Sequence, residues 1–318
     1  DANNGVINLG TLAVDGTVQL TTNGTGNATV VNDAGLNFAA STVRGNLAAT
    51  ATTGNIVDSG VLTVAGTSSF TTSQNNADIT LNNVNALTGT VALNTSGSTG
   101  NALVDNGITA LNIAASSVGG NLTLTSGHAS GIIDSGTVTV GGNLVATTDA
   151  NSGVINLGTL AVDGTVQLTT NGSGNATVVN DAGLNFAAST VGGNLAATAT
   201  TGNMTDSGVL TIAGTSSFTT SQNNADITLD LANVLTGTVA LNTSGSGNAL
   251  IDNGITALNL ATSTVGGNLT LTSGHYIIDS STVTVGGNLV ATTDAANGSI
   301  HMDGLRVDGT VQLTTNGT

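Results

Sequence analysis

Residues 118–144 read VGGNLTLTSGHASGIIDSGTVTVGGNL, and the rest of the chain is built from variants of this stretch. After Gly120, Leu122 and Leu124 alternate with Asn121 and Thr123, the period-two pattern of a half-buried strand. Gly142 opens the same pattern again. Glycine-led strands of this kind begin at Gly16, Gly45, Gly66, Gly89, Gly120, Gly142, Gly164, Gly193, Gly214, Gly237, Gly267, Gly287 and Gly309. The steps from Gly16 to Gly45, Gly89 to Gly120, Gly164 to Gly193 and Gly237 to Gly267 are long, and each is followed by two short ones. A module therefore carries three such strands, and successive modules run from Gly16 to Gly89 and from Gly89 to Gly164. Modules pair into a larger repeat: residues 1–148 recur as 149–293, and a partial third copy occupies 294–318.

Two further columns run through the repeats. Two residues before every leading glycine stands an aliphatic side chain, from Val14, Val43 and Val64 to Val285 and Val307. A second column places a small polar residue directly after an apolar one: Asn8, Asn32, Asp58, Asn82, Asp105, Asp134, Asn156, Asn180, Asp230, Asp252, Asp279 and His301, with Asp206 following Thr205 instead. Strands that keep their columns at so short and regular a period predict an all-β fold, a parallel β-solenoid in which each strand stacks on its equivalent in the next coil. Aligning the glycines gives about thirteen coils in one array over residues 1–318. The long steps contain an extra strand-like segment, Leu36-Asn37-Phe38, Leu111-Asn112-Ile113, Leu184-Asn185-Phe186 or Leu258-Asn259-Leu260, so every third coil is expected to be longer. Proline, which would remove a ladder donor from each coil it entered, is absent.

Composition excludes several functions. The basic residues are Arg44 and Arg306 alone, the eighteen acids are all aspartate, and the net charge is −16. Neutralising nucleic-acid phosphates takes Lys and Arg, so nucleic acid is not an expected partner. No apolar run reaches the roughly 20 residues of a membrane-spanning helix. With no cysteine there is neither a disulfide nor a thiolate metal site.

The succession of VGGNLTLTSG (118–127) and IIDSGTVTVGGNL (132–144) resembles the repeat region of filamentous haemagglutinin-like exoproteins, the large adhesins of two-partner secretion. The resemblance extends over essentially the whole chain. It implies a right-handed coil, export to the cell surface or beyond, and service as a stalk or fibre. It assigns no receptor-binding residue.

The residues themselves point away from catalysis. Lysine is absent, and each arginine replaces a small residue of its sister coil. His128, His275 and His301 have no second histidine at ligand spacing. The polar column reads first as a structural ladder that satisfies corner backbone groups. Its run Asp206, Asp230, Asp252 and Asp279, without a neutral spacer, is the candidate for holding a divalent cation such as Ca²⁺. Recurrent threonines five residues after the glycine (Thr21, Thr50, Thr71, Thr125, Thr147) raise an ice-binding alternative, weakened by Gln19, Ala48, Ser69 and Val145 two positions earlier. Exposed strand edges at terminal coils make end-to-end self-association into a filament the other alternative. The overall expectation is an extracellular, non-enzymatic structural segment.

Overall fold

A computed structural model describes residues 3–294 and 296–316; the repeat boundaries at Asp1 and Thr318 lie outside the described residues. It is an all-β parallel solenoid of about fifteen turns. Two compact units span residues 1–164 and 165–318.

In the first unit, one wall is formed by Ile7–Leu12, Ala28–Asn32, Leu47–Ala51, Ser68–Asn75 and Thr90–Ser96. Its register runs from Ile7 to Ala28, Leu47, Ser68, Val91 and Ile113, in nearly even steps. The facing wall contains Thr17–Val18, Leu36–Phe38, Ile56–Asp58, Ile79–Leu81 and Ala102–Asp105. A short third sheet, Ser41–Val43, Leu62–Val64 and Ala86–Leu87, closes the cross-section. The pairings among the described residues are parallel, so backbone groups in a strand find their partners one turn away.

The even steps replace the expected thirteen coils with a longer one every third. At a long glycine-to-glycine step the chain goes round once and then half a turn further. The glycine-led strands of Gly45, Gly66 and Gly89 lie on the first wall, whereas those of Gly120 and Gly142 lie on the second. The change is visible in the pairing. Strand Thr90–Ser96 is followed by two short strands, Thr90 and Val91 meeting Asn112 and Ile113, and Asn94 meeting Ser117. On the opposite wall Ala102–Asp105 is followed by the glycine-led strand Leu122–Ser126. A module of three glycine-led strands is therefore about three and a half turns, and the next module starts on the opposite side. The second unit repeats this within itself: Leu195–Ala199, Ser216–Asn223 and Thr238–Ser244 share one wall, and Leu269–Ser273, Leu289–Thr293 and Val311–Thr315 share the other. The supposed extra segments are the opposite wall of ordinary turns.

Alternation fills the core. Val30, Ala49, Phe70 and Leu93 are buried on one wall and Leu36, Ile56, Ile79 and Leu122 on the other. The aliphatic column before the glycines is buried from Val43 to Val285 and half-buried at Val14 and Val307. Phe38 and Phe70 meet edge to face across the core with ring centroids 6.5 Å apart, as do Phe186 and Phe218 at 6.4 Å.

Candidate functional site

The polar column of the sequence divides into two sets, because side chains alternate and a one-residue offset reverses the face. In Ile56-Val57-Asp58 the buried aliphatic is Ile56, so Val57 points out and Asp58 turns inward, 7% exposed. Asn32, Asp134, Asn180, Asp206 and Asp279 share that placement, buried or half-buried. In Leu103-Val104-Asp105 it is Val104 that is buried, and Asp105 faces outward. Asn8, Asn82, Asn156, Asp230, Asp252 and His301 belong with it.

The inward set hydrogen-bonds neighbouring turns. Asn32 accepts from Val14 N–H at 2.9 Å and donates to the Val14 carbonyl at 2.9 Å. Asp58 accepts from the amides of Asn82 (3.0 Å) and Asn83 (3.2 Å) and from Asn85 Nδ2 (2.7 Å) in the following turn. Asp134 does the same for Gly158 and Thr159, and Asp279 for Asp303 and Gly304. A carboxylate accepts only, and its short stem reaches the next bend, which is why these positions hold Asp. On the outward set, Asp105 and Asp252 cap their own turns at Gly107 and Gly254, both at 2.8 Å.

Asp206, Asp230 and Asp252 fall on one wall in consecutive turns, in line with the register of Leu229 on Ile251. Asp279 stands on the other wall, beside Leu260. The four carboxylates are therefore not one column, and both Asp206 oxygens are engaged, by Asp230 N–H at 3.1 Å and Asn233 Nδ2 at 2.7 Å. Among the described residues no three His or Asp side chains are grouped to hold a metal ion. His128 Nδ1 accepts from Ser130 N–H, and His301 lies 3.4 Å from Asp303 on the exposed surface.

Burial raises the pKa of the half-buried Asp206 carboxyl, and the negative charge of Asp230 adds to the shift, against the lowering effect of hydrogen bonds from Asn233, Asp230 and Leu231. A raised folded-state pKa means that the folded chain binds the proton more tightly than the unfolded one, so stability falls as pH rises from about 4 through that pKa. In the sister turn Asn82 occupies the place of Asp230. Asp230→Asn should accordingly stabilise the fold at neutral pH by no more than a few tenths of a kcal/mol for so exposed a pair, read as a slightly higher melting temperature, with the gain vanishing below pH ~4.

Sequence reasoning missed the longest polar arrays. Asn55 Oδ1 accepts from Asp78 N–H, Asp78 from Asn101, Asn101 from Asn121, and Asn121 from Asn143, at 2.7 to 2.9 Å. The second unit repeats the ladder through Asn203, Asp226, Asn248, Asn268, Asn288 and Thr310. The signal was the recurrent Gly-Asn pair. A Cβ on Gly142 would lie 2.5 Å from Asn121 Oδ1 and 2.8 Å from the Gly120 carbonyl oxygen, so the glycine clears the amide of one turn and its Asn supplies the next. Gly142→Ala is expected to lower stability by about 2–3 kcal/mol through overpacking, read as an earlier midpoint in urea.

Among the described residues, four buried asparagines outside the polar column were equally hidden: Asn85, Asn106, Asn233 and Asn253. Asn106 Oδ1 accepts from Leu87 N–H at 2.8 Å, while Nδ2 donates to the carbonyls of Leu87 and Ala110 at 3.1 and 2.9 Å. The amide substitutes for a strand where the chain bends. By contrast Asn37, Asn112, Asn185 and Asn259, the middle residues of the Leu-Asn-apolar segments, each bury an Oδ1 without a hydrogen-bond partner. Asn112 stacks between Thr90 and Ile133, and Asn112→Val should stabilise by about 1 kcal/mol, seen in the same urea titration.

No curated protein and no solved structure matches the chain. A family model described as repeats of unknown function, DUF5649, matches residues 25–94, 173–242 and 246–314. Each match encloses three glycine-led strands, that is, one module: Gly45 to Gly89, Gly193 to Gly237, and Gly267 to Gly309. Each matched span thus corresponds in this chain to about one module rather than to a single turn. With about two thirds of its length matched, the chain belongs to the DUF5649 family of repeats of unknown function.

Proposed function

We propose that the chain is a non-enzymatic segment of a secreted bacterial adhesin stalk or surface filament, a right-handed solenoid that supplies length and stiffness outside the cell. The observation that carries this reading is where the polar groups go. Asp58, Asp134, Asp206 and Asp279 cap the next turn, and the Asn55 and Asn203 ladders bind turn to turn, so the side chains able to do chemistry serve stacking. Half-turn alternation adds that opposite walls carry the same modules, which suits a support more than a one-sided catalytic cleft. Nearest-neighbour stacking makes such a segment extensible by whole modules.

The test is labelling of intact cells of the source organism with antibodies raised against the purified chain. Labelling before lysis, removed by external protease, supports the reading; signal only after lysis overturns it. Negative-stain microscopy of the purified chain separates a stalk, seen as discrete short particles, from end-to-end assembly, seen as continuous filaments.

A further inference from the structure

In each unit, the turns that leave the wall of Ile56–Asp58 or of Met204–Asp206 bend at a corner that collects exposed apolar side chains. Outside the first and last turns, the large apolar residues exposed among the described residues are Val61, Val84, Ile108, Val209, Ile255 and Tyr276. All six lie on such bends, the first three in one unit and the others in the second. Ile108 and Ile255 are 82% and 88% exposed. Neighbouring bends are in contact: a Cβ on Gly107 would strike Val84 Cγ1, and one on Gly274 would strike Ile255 Cα. The bends are also rigid. Gly254 adopts φ +51° with its N–H held by Asp252, Thr256 N–H donates to the Asn253 carbonyl at 3.0 Å, and the Asn253 amide is buried. Ile255 is thereby fixed outward, with no route into the core.

The same bends carry the acid. On the outward face Asp230 and Asp252 precede Ala232 and Ile255 on consecutive turns and Asp105 precedes Ile108, while Asp58 and Asp206, before Val61 and Val209, are turned inward. An apolar ridge bordered by carboxylates, on a chain of net charge −16 with two arginines, is complementary to apolar residues flanked by Lys or Arg. A second copy would oppose acid to acid, and an anionic lipid surface would be repelled.

The geometry points to this corner of each unit as a docking ridge for a cationic amphipathic peptide segment of a partner protein, anchored by Ile108 in the first unit and by Ile255 in the second. The inference concerns contact, not length, and does not depend on the stalk reading.

It is tested with the full chain labelled at isoleucine δ1 methyls, titrated with a synthetic peptide of about ten alternating Leu and Lys residues, long enough to cross several turns at strand spacing. The expected result is saturable shifts at Ile108 and Ile255 with buried isoleucines such as Ile56 and Ile227 unmoved. Affinity should fall at least about tenfold in Ile108→Ser/Ile255→Ser, whose side chains support nothing in the fold. Asp230→Asn/Asp252→Asn should weaken binding and flatten its salt dependence. Unchanged affinity in the isoleucine variant, or shifts centred elsewhere, overturns the inference. So does a response of the two methyls to phosphatidylcholine vesicles and not to the peptide, which would mark a lipid surface.

Discussion

Asn253→Ala is expected to destabilise the second unit by about 3–5 kcal/mol, the range in which several buried polar groups lose their partners at once. Its amide accepts from Leu235 N–H at 2.8 Å and donates to the carbonyls of Leu235 and Ala257 at 3.1 and 2.8 Å, all in a fully buried position. Alanine leaves the Leu235 N–H and carbonyl without partners and without water. Because turns contact only their neighbours, the loss is felt first in the turns around Leu235 and Asn253. Amide hydrogen exchange should show Leu235 N–H losing protection well before the N–H of Leu195, which lies about two turns earlier and donates to the Thr215 carbonyl. Uniform loss of protection, or a change below about 1 kcal/mol, would mean that the amide is not the bend's substitute strand.

Phe218→Ala carries a similar expected cost, about 3–5 kcal/mol, for a different reason. Phe218 is fully buried and stands edge to face with Phe186 at 6.4 Å, so truncation opens a cavity between the two walls and removes an aromatic pair. The neighbours cannot collapse into it, since each is fixed by backbone ladders above and below. Phe218→Leu should recover more than half of the loss, by restoring most of the volume. Urea denaturation of the three chains gives the comparison.

How far the fold was legible in the sequence is seen in these same residues. Phe70 and Phe218 read as inward, because the leading glycine sets the phase and alternation does the rest. Phe38 and Phe186 read as part of an extra segment, since a single turn looks the same whichever wall carries its long strand. A half-turn shift leaves every glycine-to-core distance unchanged and shows only as the longer steps, such as that from Gly89 to Gly120. The split of the polar column into two sets was hidden for a related reason. Val57-Asp58 and Val104-Asp105 look alike, each with an aliphatic residue before it, and they differ only in which aliphatic is buried, Ile56 in one and Val104 in the other. The buried asparagines had no pattern of their own, because Asn-Gly is equally the mark of an exposed turn. The composition, on the other hand, becomes intelligible. Aspartate is the short acceptor that caps the next bend, asparagine is both acceptor and donor to the adjacent turn, and the longer Glu and Lys have no place in either role.

The alternation of modules between opposite walls is the central claim, and a chain without cysteine allows a direct test by paired cysteines. Asn94 pairs with Ser117, in the second of the two short strands that follow it. If equivalent glycine-led strands stacked on one another throughout, Asn94 would instead adjoin Thr125, the same position after Gly120. Neighbouring parallel strands place Cα atoms about 4.8 Å apart, within disulfide reach. Under mild oxidation Asn94→Cys/Ser117→Cys should form an intramolecular disulfide rapidly and Asn94→Cys/Thr125→Cys should not. Cross-linking of the second pair in preference to the first would contradict the account.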